Sequence, residues 1–296
     1  MSEDAGSAKR LAIAIVNWNT RELLIQALNS ITSAPPQGGF DIIVVDNASG
    51  DGSAEAVTAG FPNVRLVANT TNAGYAAGNN QAMALAQSPY TLLLNPDVIV
   101  PPGALDAALA FIERHPKCGA VGVRLVHPNG EVQHSVRGFP RPVALLCEMT
   151  GLARLFPQNQ WVAAYRMPWF NYSSEAEVDQ PMGTFLLIRR EAAAEVGPMD
   201  EAFPIFFNEV DWLYRCKLLG WSIWFTPDAE IVHYGGASTS QVAAKMAWES
   251  HHALMHYYRK HYGDTFHAPV RWLIGTASWL RATMMASRRA RAVQAH

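Results

Sequence analysis

No run of about 18 uncharged apolar residues occurs in the chain, so no transmembrane helix is expected. Cysteine is scarce. The three thiols, Cys118, Cys147 and Cys216, are odd in number and far apart, and no CxxC pair occurs. That excludes a disulfide framework and a zinc knuckle, and it points to a reducing compartment. The first ten residues are polar and lack the apolar core of a signal peptide. A cytoplasmic protein is expected, with peripheral attachment to the inner face of the cytoplasmic membrane left open. Charge is sparse as well, at 16% of 296 residues, and the net charge is −2. No nucleic-acid partner is expected on that balance. A GxGxxG loop after the first apolar run is missing, which argues against a nicotinamide-dependent dehydrogenase. A Gly-rich loop bearing Lys or Arg is missing there too, which argues against a sugar-nucleotide pyrophosphorylase. Acidic residues are absent from Val270 onwards, where Arg271, Arg281, Arg288, Arg289 and Arg291 occur.

What the chain does have is apolar residue, at 49%, enough for a sizeable core. The apolar runs Leu11–Val16, Ile42–Val45, Val64–Val67, Tyr90–Leu94 and Gly119–Val126 lack polar alternation, as buried parallel strands do. Helical spacing separates them, at Arg21–Thr32, after Ser53, at Gly78–Ala86 and at Ala104–His115. Alternation of this kind predicts an α/β fold with a mostly parallel central sheet flanked by helices. Residues 137–178 show no clear period and read as loops and short elements. Strands are expected again at Gly183–Arg189 and Ser222–Phe225, and helices at Arg190–Val196, Asn208–Leu219, Gln241–His261 and Val270–Ala292. The domain reading is a flexible stretch over 1–10, one domain over 11–240, and a helical extension over 241–296. Within the domain, a first half runs to about residue 126.

Ligands of open α/β sheets bind beyond the carboxyl ends of the strands. Here the strand ends carry Asn17-Trp18-Asn19, then Asp46-Asn47-Ala48-Ser49-Gly50, then Asn69 with Asn72-Ala73-Gly74 to Asn80, then Asn95-Pro96-Asp97. One such end is an ordinary turn. Four together form a polar rim suited to hydroxyls and phosphates. Asp46 can accept from a base or a ribose, or can simply cap its turn. Gly74 and Gly78 allow backbone to approach an anion at a helix start. Asp97 suits a hard cation that bridges phosphates, the usual mode for Mg²⁺ or Mn²⁺. Further on, Asn208-Glu209-Val210-Asp211 follows the apolar stretch 203–207. There Phe206, Phe207 and Trp212 could desolvate Glu209 and raise its pKa, which suits a general base, whereas a helix N-terminus also favours acids for purely structural reasons.

In order, these segments resemble family 2 glycosyltransferases, especially the bacterial rhamnosyltransferase-like branch that builds envelope polysaccharides. Gly183-Thr184-Phe185-Leu186, Phe207 to Arg215, Gly220-Trp221 and His233-Tyr234-Gly235-Gly236 extend the match over roughly 11–240. The resemblance implies a GT-A fold, with a nucleotide-binding half over about 11–126 and an acceptor half over 127–240. It implies an inverting sugar transfer from a nucleoside-diphosphate sugar to a saccharide or polyprenyl-linked acceptor. It assigns Glu209 as the base with Asp211 in support, and Asp97 with His233 to a Mg²⁺ or Mn²⁺ site. Asn17, Asn19, Asp46, Asn72, Gly74, Gly78, Asn79, Asn95 and Asp97 fall to the nucleotide sugar, and Gly183, Thr184 and Trp212 to the acceptor. Two departures stand out. Asn95 replaces the first acid of the DxD motif, and Glu209 stands where relatives often carry Asp. The first of these keeps a degenerate, non-catalytic scaffold or sugar-binding module as the rival reading.

The aromatic segment Trp161, Tyr165, Trp169, Phe170 and Tyr172 reads equally as a sugar platform or as a satellite core. The tail around Trp272, Leu273, Ile274, Trp279 and Leu280, with its arginines, has the composition of a helix on an anionic membrane or on a partner subunit. A homodimer is left open.

Overall fold

The structure is a computed structural model that describes residues 9–203, 205–235, 243–263, 273–280 and 283. The expected flexible stretch therefore lies almost wholly outside the described residues, as does most of the basic tail.

Strands β1 (Leu11–Asn17), β2 (Phe40–Asp46), β3 (Arg65–Ala68) and β4 (Tyr90–Leu94) alternate with helices α1 (Arg21–Ser33), α2 (Ser53–Gly60) and α3 (Tyr75–Leu85). After β4 come β5 (Val98–Ile99), α4 (Ala104–Arg114), β6 (Cys118–Val126) and β7 (Val136–Arg137). Then follow α5 (Pro142–Met149), α6 (Leu152–Leu155), β8 (Ala176–Glu177), β9 (Gln180–Pro181) and β10 (Phe185–Arg189). The chain continues through α7 (Arg190–Val196), α8 (Asn208–Leu218), β11 (Ser222–His233) and α9 (Ala243–Tyr262). The main sheet has nine strands in the order β3-β2-β1-β4-β10-β6-β11-β5, with β8 on β11, while β7 and β9 form a separate ribbon. Only β5, β8 and β10 run antiparallel to their neighbours, so the sheet is mostly parallel, as expected.

Both faces of the sheet are covered, which explains the unbroken apolar runs. Along β1, Ile13 and Ile15 join one core with Leu24, Leu28 and Ile31 of α1, while Ala14 and Val16 join the other. The α3 helix sits close to the second face because Gly78 has no side chain. A Cβ there would lie 2.7 Å from the Val16 Cγ1. The glycine thus serves helix–strand packing. Its N–H is also committed, at 3.2 Å, to the Gly74 carbonyl, so Gly78 is not the phosphate donor that its loop suggested. The helix begins at Tyr75, a turn earlier than the sequence pattern indicates.

Strand β11 runs past Pro227 to His233, well beyond the expected end at Phe225. Its register with β6 shifts between Thr226 and Glu230, and that irregularity is where a strand tolerates proline. Residues 137–178 hold the short elements expected of them. Phe170 and Tyr172 pack edge-on against Phe225 and so belong to the core, whereas Trp161 is 85% exposed.

Helix α9 is locked to α8. Asp211 is fully buried, and its carboxylate meets Arg215 at 2.9 Å, Lys260 at 2.8 Å and His261 at 2.7 Å. Asp211 is therefore a bolt between the two helices and does not face the substrate cleft, which corrects its assignment to the catalytic pair. Trp212, given to the acceptor, is likewise fully buried and donates its Nε1–H to the Gly197 carbonyl at 2.9 Å. Asp211, two residues after Glu209, points to another face of α8. Trp212, three residues on, is turned into the core beside Gly197.

Despite burial, which opposes its charge, the hydrogen bonds from His261 and Lys260 and the charge of Arg215 hold the Asp211 carboxyl at about 2, below its ordinary 3.8. Its folded pKa is depressed, so its contribution is complete above the unfolded value and fades as pH falls towards 2. Asp211→Ala should cost about 3 kcal/mol of unfolding free energy at pH 7, and it should flatten the acid limb of stability. Chemical denaturation at stepped pH reads both effects. An unchanged acid limb would show that Asp211 does not hold the helices together.

Candidate active site

Strand β1 lies between β2 and β4, so the chain order reverses there and opens a crevice beyond the strand ends. A cleft of about 420 Å³ occupies that place. Val16 and Asn17 of β1, Trp18 just after it, Asn47 after β2, and Asn95, Pro96 and Asp97 after β4 line it.

The deepest part is built by backbone pairing. Val98 pairs with His233 and Ile99 with Val232, and the Tyr234 N–H donates to the Asp97 carbonyl at 3.0 Å. Asp97 and His233, 5% and 6% exposed, thereby face one another with Oδ1 and Nε2 3.5 Å apart. The proton on Nδ1 of the ring follows from its surroundings. Gln133 donates through Nε2 to the His233 carbonyl at 2.7 Å, and a carbonyl can only accept. Its Oε1 must then accept from His233 Nδ1, 2.8 Å away. In the neutral ring Nε2 is left with its lone pair pointing towards a carboxylate oxygen that has no hydrogen-bond partner of its own. Two acceptors facing each other at 3.5 Å fit a bound cation. The expected Mg²⁺ or Mn²⁺ therefore fits Asp97 and His233, with Gln133 orienting the imidazole from behind. No group of three His, Cys, Asp or Glu ligands occurs among the described residues, so the other ligands would come from donor phosphates and water.

The remaining donor-side residues are mostly engaged with each other. Asn17 is fully buried and donates to Asp46 at 2.8 Å. The second Asp46 oxygen accepts from the Ser49 N–H at 2.9 Å, and it is Asn47 that reaches the cleft wall. Asn72 and Gly74 line the cleft, and Asn72 caps the Gly74 N–H at 2.9 Å. Asn19 accepts from the Gly50 N–H at 2.8 Å from a left-handed conformation, so it shapes the loop and does not line the cleft. Asn79 is also behind the wall, buried and donating to the Tyr75 carbonyl at 2.9 Å. Asn95 accepts from the Tyr75 hydroxyl at 3.1 Å, and that hydroxyl also lies 3.2 Å from the Gly183 carbonyl. Tyr75 thus ties the β4 end to the strand that enters β10.

Across the cleft are Gly183, Thr184, Ile205, Phe206, Arg137 and Glu209. Glu209 stands in the first turn of α8, after Phe207 in a left-handed conformation at φ 67°. Such a conformation in a bulky residue is strained and sharply redirects the chain, here so that Phe206 and Glu209 line the same cavity. Gly183 makes room for the acid, since a Cβ there would lie 3.2 Å from the Glu209 Cγ. Burial raises the Glu209 pKa above its ordinary 4.5, with local backbone N–H groups and Arg137 pulling the other way. A carboxylate of raised pKa in a partly dry cleft suits proton abstraction. The sequence reading missed Arg137, Gln133 and Tyr75. Tyr75 sits inside a quoted motif, while Gln133 and Arg137 precede or open a segment without periodicity.

The glycosyl transferase family 2 model matches residues 12–196. A Mycobacterium tuberculosis N-acetylglucosaminyl-diphospho-decaprenol L-rhamnosyltransferase is 30% identical over 275 residues, covering 89% of this chain and 88% of that one. The O-antigen biosynthesis protein RfbC of Myxococcus xanthus is 27% identical over 92% of this chain and 21% of its own length. Among solved structures, the mannosyltransferase PcManGT from Pyrobaculum calidifontis, in complex with GDP-Man and Mn²⁺, superposes with a TM-score of 0.58 at 18% identity, over 99% of this chain and 77% of that one. GalNAc-T7 with UDP, GalNAc and Mn²⁺ gives 0.57 at 14% identity, over 78% and 44%. The fold is that of the GT-A glycosyltransferases, and the chain belongs to glycosyl transferase family 2.

Proposed function

We propose that this glycosyltransferase moves a hexose, rhamnose first among the candidates, from a nucleoside-diphosphate sugar to a lipid-linked saccharide during envelope polysaccharide synthesis, with inversion at the anomeric carbon. The observation that carries the mechanism is one cleft lined both by Glu209 and by the Asp97–His233 pair. The sugar and the acceptor are supported by the activity for which the mycobacterial relative is named.

Glu209 takes the proton of an acceptor hydroxyl. The oxygen forms a bond to the anomeric carbon from the face opposite the diphosphate. The bond between that carbon and the diphosphate oxygen breaks, and the nucleoside diphosphate leaves. Asp97 and His233 would hold Mg²⁺ or Mn²⁺, which supplies Lewis-acid stabilisation of the leaving diphosphate when bound. Asn47, Asn72 and Asn95 offer amides to the donor, and Gly183 and Thr184 border the acceptor. The reaction is expected at the cytoplasmic face of the membrane. No described helix is long and apolar enough to cross a membrane. Leu273, Trp279 and Leu280, at 51%, 49% and 51% exposure, support surface contact through the C-terminal segment.

Glu209→Gln should lower kcat by ~10²–10⁴-fold and leave donor affinity intact. In the parent enzyme the acid limb of kcat should fall at a pH above 4.5, because the base works only when ionised and burial raises its pKa. Stopped assays over a pH series check this, and product NMR showing a retained anomeric configuration would reject the mechanism.

Donor binding tests the cation site separately. A nucleotide at roughly 100 times its Kd stabilises a fold by about 2.7 kcal/mol. Asp97→Ala should abolish the Mn²⁺-dependent part of that thermal shift, and Gln133→Leu should weaken Mn²⁺ affinity by roughly 10–100-fold. Equal shifts with and without Mn²⁺ in the parent would remove the metal from the scheme.

A further inference from the structure

Arg137 is a cation in the cleft wall that the transfer chemistry does not use. Its neighbours in the fold are paired, Arg124 with Glu230, Arg141 with Asp179 and Arg166 with Glu148, whereas Arg137 has no ion-pair partner among the described residues. It is partly buried and lines the same cavity as Glu209. An unpaired guanidinium in a desolvated wall is costly unless an anion completes it.

The backbone around it is fixed. Arg137 pairs with Gln180 across the β7–β9 ribbon. Gly138 then runs so close to the next segment that a Cβ would lie 2.3 Å from the Ala164 carbonyl oxygen, and its N–H donates to the Tyr165 carbonyl at 3.1 Å. The guanidinium lies 5.8 Å from the Tyr165 ring centroid. Tyr165 in turn packs on the small apolar cluster of Leu145, Leu254, Tyr258 and Ile274. Beyond that cluster, helices α5 and α6 and the loop after them carry Val143, Leu155, Phe156 and Trp161 at 70%, 74%, 55% and 85% exposure. Arg137 therefore shares the cleft with Glu209 and reaches, through Tyr165, an apolar cluster whose helix α5 also carries the exposed Val143. A molecule with a sugar, then phosphate, then a hydrocarbon chain carries groups that match those three surroundings.

We propose that Arg137 binds the diphosphate of the lipid-linked acceptor and so sets the enzyme's preference for phosphate-linked over neutral acceptors. This rests on the lipid-linked reading above. The planar guanidinium can take two phosphate oxygens at once, and Tyr165 holds its plane. The donor diphosphate is the other anion near enough to compete for it. The donor's own cation site is assigned to Asp97 and His233, which line the same cleft, so the test must tell the two anions apart.

The test uses the full chain with donor and Mn²⁺, and two acceptors. One is N-acetylglucosaminyl diphosphate on a short prenyl chain, the other an alkyl glycoside of N-acetylglucosamine without phosphate. The parent should prefer the first in kcat/KM by about tenfold or more. Arg137→Gln should raise KM for the diphosphate acceptor by roughly 10–100-fold and leave KM for the neutral acceptor unchanged, any change in kcat through Glu209 being shared by both acceptors, and should leave the thermal shift with nucleoside diphosphate unchanged. Arg137→Lys should recover part of the loss. An equal loss on both acceptors would mean that Arg137 acts only by tuning Glu209, and it would overturn the inference. A lost nucleotide shift would assign Arg137 to the donor and overturn it as well. No transfer by the parent to either acceptor would overturn the functional reading itself, and the inference with it.

Discussion

Two residue pairs of backbone ladder, Val98 with His233 and Ile99 with Val232, join the loop after β4 to the far end of β11. These segments are distant in the sequence, and neither would hold a buried polar group alone. Paired, they bring a carboxylate and an imidazole into a dry pocket and align them through main-chain geometry. The cost of burying Asp97 with an unpartnered oxygen is met by the rest of the sheet, whose strands are apolar on both faces. The two cores fix β4 and β6, β6 fixes β11, and the ladder then fixes the pair. If the pair holds a cation as proposed, the remaining ligands would be donor phosphates and water. Such a site needs an orienting partner, and Gln133 supplies it through two hydrogen bonds whose directions leave one tautomer.

The opposite wall follows another logic. Glu209 is brought near by strain and by missing atoms, not by hydrogen-bonded pairing. Phe207 adopts a left-handed backbone, and Gly183 gives up a Cβ so that the acid can approach β10. Burial and the Arg137 charge act on the carboxylate in opposite directions, with burial the larger. The ionised form of an acid whose pKa is raised is a stronger base than a solvated carboxylate. An anion brought to Arg137 would cancel much of the guanidinium field and raise the basicity of Glu209 when an acceptor is in place.

Much of this was legible in the residues. The strand ends Asn17, Asp46, Asn72 and Asn95-Pro96-Asp97 converge because parallel strands carry their carboxyl ends to one edge, and apolar runs mark where strands stop. Glu209 was legible for a similar reason, as an acid that follows an aromatic run. Asp211 and Trp212 were misread because local spacing does not say which neighbour covers a helix face. Helix α9, from far along the chain, covers Asp211, and the turn after α7 takes Trp212. Gly78 and Asn79 were misread because a Gly-Asn turn serves packing as readily as ligand approach. Gln133 and Arg137 gave no signal, since their roles arise from contacts with His233 and Tyr165 across the fold.

The bolt at Asp211 links these parts. Helix α8 carries Glu209 at its first turn and Asp211 half a turn later, so the ion pairs with Lys260 and His261 hold the base through one rigid element. Helix α9, which supplies those partners, also supplies Leu254 and Tyr258 to the apolar cluster beside Tyr165 and Arg137. The helix that holds α8 is thus also the helix that packs behind Tyr165 and Arg137. If Glu209 is the base and a lipid-linked acceptor binds as proposed above, acceptor recognition and positioning of the base become consequences of a single packing arrangement.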